Sequence, residues 1–320
     1  MELFLATQNG VLQAHHSNGS WQTEKRGLDG RTVTSIIARE GVILAGTTDG
    51  IYRSDDCGVT WYEQSSGLTE RHVRWLAFHP DISNREFAGT EPAALFVSGD
   101  GGESWEERPE VAELRDQFNW WLPYSPEAGC VRGFAFHGQH LFAAVEVGGL
   151  LCSDDGGDSW QLADGSDGRP QFGQPGDGLI HPDVHSIEVH PSSHNLLYAP
   201  TGGGFYRSQN GGVSWQGAYL NCYARAVWIN PENSEEMILG PADNSSGQNG
   251  RIEHSTDGGQ TWQQLTERQN RNMVERFISV DNNLFAIMSN GELWHSPFPE
   301  QNWTTILPRD TKINAACQMV

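Results

Sequence analysis

One short motif recurs along the whole chain and limits its possible folds more than any other feature. The pattern Ser/Thr-x-Asp-x-Gly-x-Ser/Thr-Trp stands at Ser153 to Trp160 (SDDGGDSW), Ser54 to Trp61 (SDDCGVTW), Ser98 to Trp105 (SGDGGESW) and Ser255 to Trp262 (STDGGQTW), with an Asn-for-Asp copy at Ser208 to Trp215 (SQNGGVSW). Degenerate copies end at Trp21 and Trp303. The series Trp21, Trp61, Trp105, Trp160, Trp215, Trp262 and Trp303 steps by roughly 40 to 55 residues, the interval of propeller blades, and predicts seven of them. Each copy has its own physical logic: Asp and Ser cap the amides of a tight turn, Gly takes a positive φ, and Trp packs between sheets.

On these motifs the chain resembles the Asp-box, or BNR-repeat, proteins, which include sialidases and other glycosidases, sortilin-type receptors and a photosystem II assembly factor. The resemblance covers nearly the whole sequence. It implies an all-β, seven-bladed β-propeller with each box on the turn between the third and fourth strands of a blade, facing away from the ligand site. The box residues would then be structural. Sialidase-type relatives combine an arginine cluster with a Tyr/Glu nucleophile pair on six blades, and no copy of that pair is identifiable here. Xyloglucan-type glycosidases of the group use two seven-bladed propellers with a cleft between them, whereas the repeat here provides for one; the assembly-factor branch is seven-bladed and needs no active site.

The repeat runs from end to end, so residues 1–320 are read as a single propeller domain. The chain opens with strands at Leu3 to Gln8, Val11 to His16 and around Trp21, which match the second to fourth strands of a blade. Lys312 to Gln318 matches a first strand, so blade 1 is assembled from 1–24 plus 311–320 and the ring is closed by pairing of N- and C-terminal strands, which leaves no open edge. The formal net charge of −21 repels nucleic-acid phosphates and anionic membranes, which excludes both as partners. No basic leader or long apolar run is present, so the expected location is cytoplasmic. The cysteines Cys57, Cys130, Cys152, Cys222 and Cys317 are odd in number, without a CxxC pair, and read as free thiols.

The first strands of the other blades can be laid over one another as Thr32 to Ile36, His72 to Leu76, Cys130 to Phe134, Asp183 to Ile187, Tyr223 to Val227 and Val274 to Ile278. The third column then reads Thr34, Arg74, Arg132, His185, Arg225 and Arg276, with Asn314 from the closing strand. First strands line the channel of a propeller, so this column forms a ring at one mouth. Arg74, Arg132, Arg225 and Arg276 in such a funnel suit the bidentate binding of a carboxylate, sulfate or phosphate. The competing reading is a closed ion-pair network with Glu91, Glu146 and Asp243, which occupy corresponding positions after the second strands.

Two insertions, at about 109–129 and 164–182, precede first strands and fall at the same mouth. The earlier one predicts a short helix over Glu110 to Asp116, and then offers Trp120, Trp121 and Tyr124 either as stacking platforms for a ligand or as a small core. The later one runs into His181-Pro182-Asp183-Val184-His185. In an extended segment His181, Asp183 and His185 share a face, a set of metal-ligand type. No cofactor is required by the sequence, and a divalent metal is the alternative that this triplet raises.

Three functions are carried forward. In the first, an enzyme, a glycosidase-like hydrolase or lyase, acts on an anionic small molecule or saccharide, with the arginines as anion holders and His185 with Glu91 or Glu146 as acid and base. In the second, a non-catalytic propeller binds a protein partner on the same face. In the third, a metal-dependent lyase or hydrolase is built on His181, Asp183 and His185.

Overall fold

The computed structural model of the protein describes residues 1–122, 128–170 and 173–319. The fold is an all-β, seven-bladed β-propeller, with seven antiparallel sheets of four strands each. The blade that joins the chain ends has the order Ile313–Cys317, Glu2–Thr7, Gly10–Ser17, Ser20–Lys25, with Leu5 opposite Ala316 and Ala6 opposite Ala315. The expected closure is therefore observed. Each following sheet is a meander in which successive strands are paired neighbours, so most strand contacts are between adjacent parts of the sequence.

The boxes sit where turn chemistry places them, after the third strand. In blade 4 that strand is Gly149–Ser153 and the fourth is Gln161–Leu162. Ser153 Oγ donates to Asp155 Oδ1 at 2.7 Å, the amides of Asp158 and Ser159 donate to the same oxygen at 3.0 Å, and Ser159 Oγ donates to Asp155 Oδ2 at 2.5 Å. Gly156 and Gly157 take φ of 75° and 90°, which a side chain would oppose. The tryptophan that ends the box, Trp160, is buried and donates from its indole to Gly157 O.

The chain forms two compact units, Met1–Glu107 with Ile278–Val320, and Arg108–Phe277. The second unit holds blades 4 to 6, which begin at Cys130, Glu188 and Tyr223. Its core lies between blades: Ala135, Phe142 and Leu150 of blade 4 pack with Leu197, Ala199 and Tyr206 of blade 5. Apolar residues on alternate positions supply this core, and removal of their surface from water is the main driving force.

The first insertion forms a helix over Pro109–Phe118, longer than expected at both ends. Pro109 occupies the first turn, where a missing N–H costs nothing, and Asn119 stops the helix in the left-handed region at φ 52°. Trp120 is 2 % exposed and donates to Gly168 O of the second insertion at 2.7 Å. Its ring lies against Gly148, where a Cβ would come within 2.9 Å of it. Trp120 is thus a packing residue that ties both insertions to the turn after Glu146, not a stacking platform. Trp121 is exposed, and Tyr124 lies outside the described residues. Among the described residues no helix is long and apolar enough to cross a membrane, and all five cysteines are free.

Candidate functional site

The third column has a local structural cause that periodicity does not reveal. In the first strands the register shifts between Val33 and Ser35, Val73 and Trp75, and Val131 and Gly133, so Thr34, Arg74 and Arg132 are each the extra residue of a β-bulge. Asn314 is skipped in the same way, and Arg225 lies within the shift between Ala224 and Val227. A bulge bends the strand and re-aims the side chain it leaves unpaired. Thr34 uses this to donate to Val73 O of the next blade, and Asn314 Nδ2 donates to Val33 O at 2.8 Å.

The seventh blade corrects the alignment by one residue. Val33, Val73, Val131 and Val184, which precede the bulge position, are all fully buried, and in the seventh blade the fully buried valine is Val274. Gly46 and Gly240 stand at equivalent places, and a Cβ on them would collide with Val73 and Val274 respectively. By this equivalence the column residue of this blade is Glu275, not Arg276. The column contains a carboxylate where the sequence reading set a fourth arginine. The signal was legible: Glu275 was the only charged residue in a column otherwise made of Val, Ala and Ile313.

The arginines meet carboxylates. Arg132 Nη1 lies 2.8 Å from Glu146 Oε2 and its Nη2 lies 3.7 Å from Glu275 Oε2, while Arg225 is hydrogen-bonded to Glu275 Oε1. Burial disfavours the charge of Arg225, but Glu275 outweighs it and raises the guanidinium above its ordinary pKa. Arg74 pairs with Glu91 at 3.0 Å in the first unit. Asp243 turns instead to Arg251, at 3.3 Å. Arg74, Arg132 and Arg225 are thus each paired with a carboxylate.

His185 and Asp183 complete the cluster in the second unit. The segment before blade 5 is not a regular strand: it makes one bridge, Val184 to Thr201, and the ladder begins only at Glu188. Pro182 contributes no N–H there, and the His185 amide is held by Pro200 O at 3.0 Å. His185 Nδ1 lies 2.6 Å from Ala224 O and its Nε2 lies 3.2 Å from Asp183 Oδ2. Ligand atoms of Glu146, Asp183 and His185 lie within 4.8 Å of one another, and all three residues are buried. His181 is not the third member of this set. Its Nδ1 accepts the Asp183 amide at 3.2 Å, and burial lowers its pKa, with the neighbouring His185 adding to the effect and Asp183 opposing it.

Of these groups, Glu146, His181, Asp183 and Arg225 line a cavity of about 890 Å³ whose whole lining lies in the second unit. Its polar lining combines Glu146, Asp183 and Asp243 with Arg225, His181, Ser245 and the amides Asn221, Asn244 and Gln174. Tyr223 and Cys222 form part of the wall, and burial pushes each of them up to about 12, so neither phenolate nor thiolate is available near neutrality. Val147, next to Glu146, takes φ 61°, a left-handed conformation that a β-branched residue adopts only under strain. Gly202 and Gly203 leave room for the cluster: a Cβ on Gly202 would collide with the Asp183 carboxylate, and one on Gly203 with the His181 ring.

The model of the BNR/Asp-box repeat matches residues 253–264. No curated protein matches the chain. Among solved structures, an ancestral GH74 enzyme is similar at 20% identity and TM-score 0.63, over 89% of this chain and 38% of that one. A GH74 enzyme of Niastella koreensis is similar at 17% identity and TM-score 0.61, over 86% and 45%. The chain thus spans less than half the length of these enzymes. YCF48 bound to a D1 peptide is similar at 14% identity and TM-score 0.61, over 92% of this chain and 86% of that one. At such identities the likeness is one of fold. Motif, sheet order and structural likeness agree: the chain is a seven-bladed β-propeller built on BNR/Asp-box repeats.

Proposed function

We propose that the cavity in the second unit binds an uncharged saccharide, and that the chain is a glycosidase-like hydrolase or lyase whose reactive centre is Glu146, Asp183 and His185. The observation that carries this reading is the lining: three carboxylates and three amides, against the single guanidinium of Arg225, around a cavity of about 890 Å³. Carboxylates accept hydrogen bonds from hydroxyl groups and amides both accept from and donate to them, and a cavity of this size suits a small ligand. An anionic ligand is disfavoured because Glu146, Asp183 and Asp243 line the cavity against one guanidinium, Arg225, which is itself paired with Glu275. Protons would be moved by the carboxylates that line the cavity, with Arg132 and Arg225 holding Glu146 and Glu275 in position. The resemblance in fold to GH74 enzymes is in keeping with this reading, and five free thiols suit a cytoplasmic location.

The test is a thermal-shift screen with neutral oligosaccharides and sugar acids, followed by product analysis of any stabilising sugar. Neutral sugars should raise the Tm by mass action, and Asp243→Asn should weaken the shift. Stabilisation by sugar acids alone would overturn the reading. A second reading, a peptide-binding propeller, is favoured by the likeness to YCF48 across most of both chains and by the exposed Trp121. It predicts capture of peptides that Trp121→Ala abolishes and that sugars do not compete.

A further inference from the structure

The contact between His185 and Asp183 is electrostatically incomplete. A backbone carbonyl can only accept, so His185 Nδ1, 2.6 Å from Ala224 O, must carry a proton. In the neutral ring this leaves Nε2 with a lone pair. That lone pair lies 3.2 Å from Asp183 Oδ2, also an acceptor, and the pair does not have hydrogen-bond geometry. His185 Nε2 and Asp183 Oδ1 are both buried without a hydrogen-bond partner, in residues only 1 % and 7 % exposed. Two acceptors facing each other in a buried site repel unless something positive lies between them.

The surrounding charge points the same way. Glu146 and Glu275 pair with Arg132 and Arg225, whereas the buried Asp183 carboxylate lies against His185 and is paired with neither guanidinium. We infer that Glu146, Asp183 and His185 form a binding site for a divalent metal ion of the zinc or manganese type. This deepens the reading of the cavity given above and rests on it only for the use the metal would be put to; occupancy of the site stands independently. Two carboxylates and an imidazole suit such ions, and the Nδ1–H to carbonyl contact is the outer contact that orients a metal-bound histidine. The 3.2 Å between Nε2 and Oδ2 also fits. Adjacent donors on an ion with bonds of about 2.1 Å are separated by about 3.0–3.4 Å. The Glu146 carboxylate, within 4.8 Å of both and paired with Arg132 through Oε2, is the third ligand of the set. Gly202, with no Cβ to collide with Asp183, keeps the face open.

The full chain, stripped with chelator, is titrated calorimetrically with zinc or manganese in the absence of sugar, and metal content is read by elemental analysis. The expected result is one equivalent bound at micromolar concentration or below, weakened more than about tenfold by Asp183→Asn and by His185→Gln. A surface cluster of His137, His140 and His194 offers zinc a competing place, so His194→Gln is the control and should leave the tight site unchanged. Glu146→Gln, the most conservative change, guards against variants that fail to fold: if Glu146→Gln melts cooperatively near the wild type, it too must bind more weakly. Absence of saturable binding to the wild type overturns the inference. So does binding that survives Asp183→Asn, or a nitrogen spectrum in which both His185 ring nitrogens carry protons in metal-containing buffer. Because no sugar is present, failure of the metal site leaves the saccharide reading to be judged by its own screen.

Discussion

Single residues decide the chemistry of this site. Glu275 converts a ring read as four arginines into a paired array, since one carboxylate serves both Arg132 and Arg225. Glu275→Gln keeps the shape and removes the charge, and should cost about 2 kcal/mol in urea unfolding, because two partly buried guanidinium groups lose a charged acceptor. A null effect would mean that solvent already screens the pair. Gly202→Ala tests the room around Asp183: its Cβ would meet the carboxylate, so the substitution should cost about 1–3 kcal/mol by overpacking. The φ of this glycine is not in the left-handed region, so backbone strain does not complicate the result. The sequence marked Glu275 as the one charged residue of its column, but not the partners it meets or the room around Asp183. A register error of one residue changes which side chain occupies the bulge, and the bulge itself leaves no periodic trace.

At the level of elements, the insertions are anchored structure. The helix Pro109–Phe118 buries Val111, and its Glu110 accepts the amide of Trp160 at 2.8 Å, which joins the insertion to a box in blade 4. Trp120 then links Gly148 and Gly168, the flank of the cavity and the second insertion. Trp120→Ala should destabilise by about 3–5 kcal/mol, the usual cost of emptying a buried aromatic site, and it should broaden the near-ultraviolet circular dichroism of the fold. If the loss of stability is under about 1 kcal/mol, the insertion does not hold itself against the blade. The sequence identified the insertion, its helix and its aromatic cluster, but whether Trp120 faced ligand or core depended on contacts 28 and 48 residues away. The same limit applies to the metal triplet. Period-two alternation paired His181 with Asp183 and His185, yet Pro182 and the irregular backbone before Glu188 turned His181 aside and Glu146 came in from the neighbouring blade.

Over the whole molecule, the boxes act as a distributed set of acid-sensitive turns. Hydrogen bonds from Thr60 hold Asp56 at about 2, and those from Thr261 do the same for Asp257. Asp100 and Asp155 are also lowered, their donors outweighing partial burial. A folded pKa below the unfolded value of about 3.9 gives stability that is present above pH 4 and is lost as the pH falls through the folded value. Calorimetric melting should therefore show the Tm falling between about pH 4 and pH 2, with a shallower fall in Asp56→Asn. An unchanged slope would remove the boxes as the source. The repeat, the closure of the first blade and the number of blades follow from the sequence alone, because each rests on chemistry contained within a turn or a strand. The site does not. It joins Arg132, Glu146, Asp183, His185, Arg225 and Glu275 from successive blades, and which of them meet is decided by strand register and by packing between residues far apart in the chain.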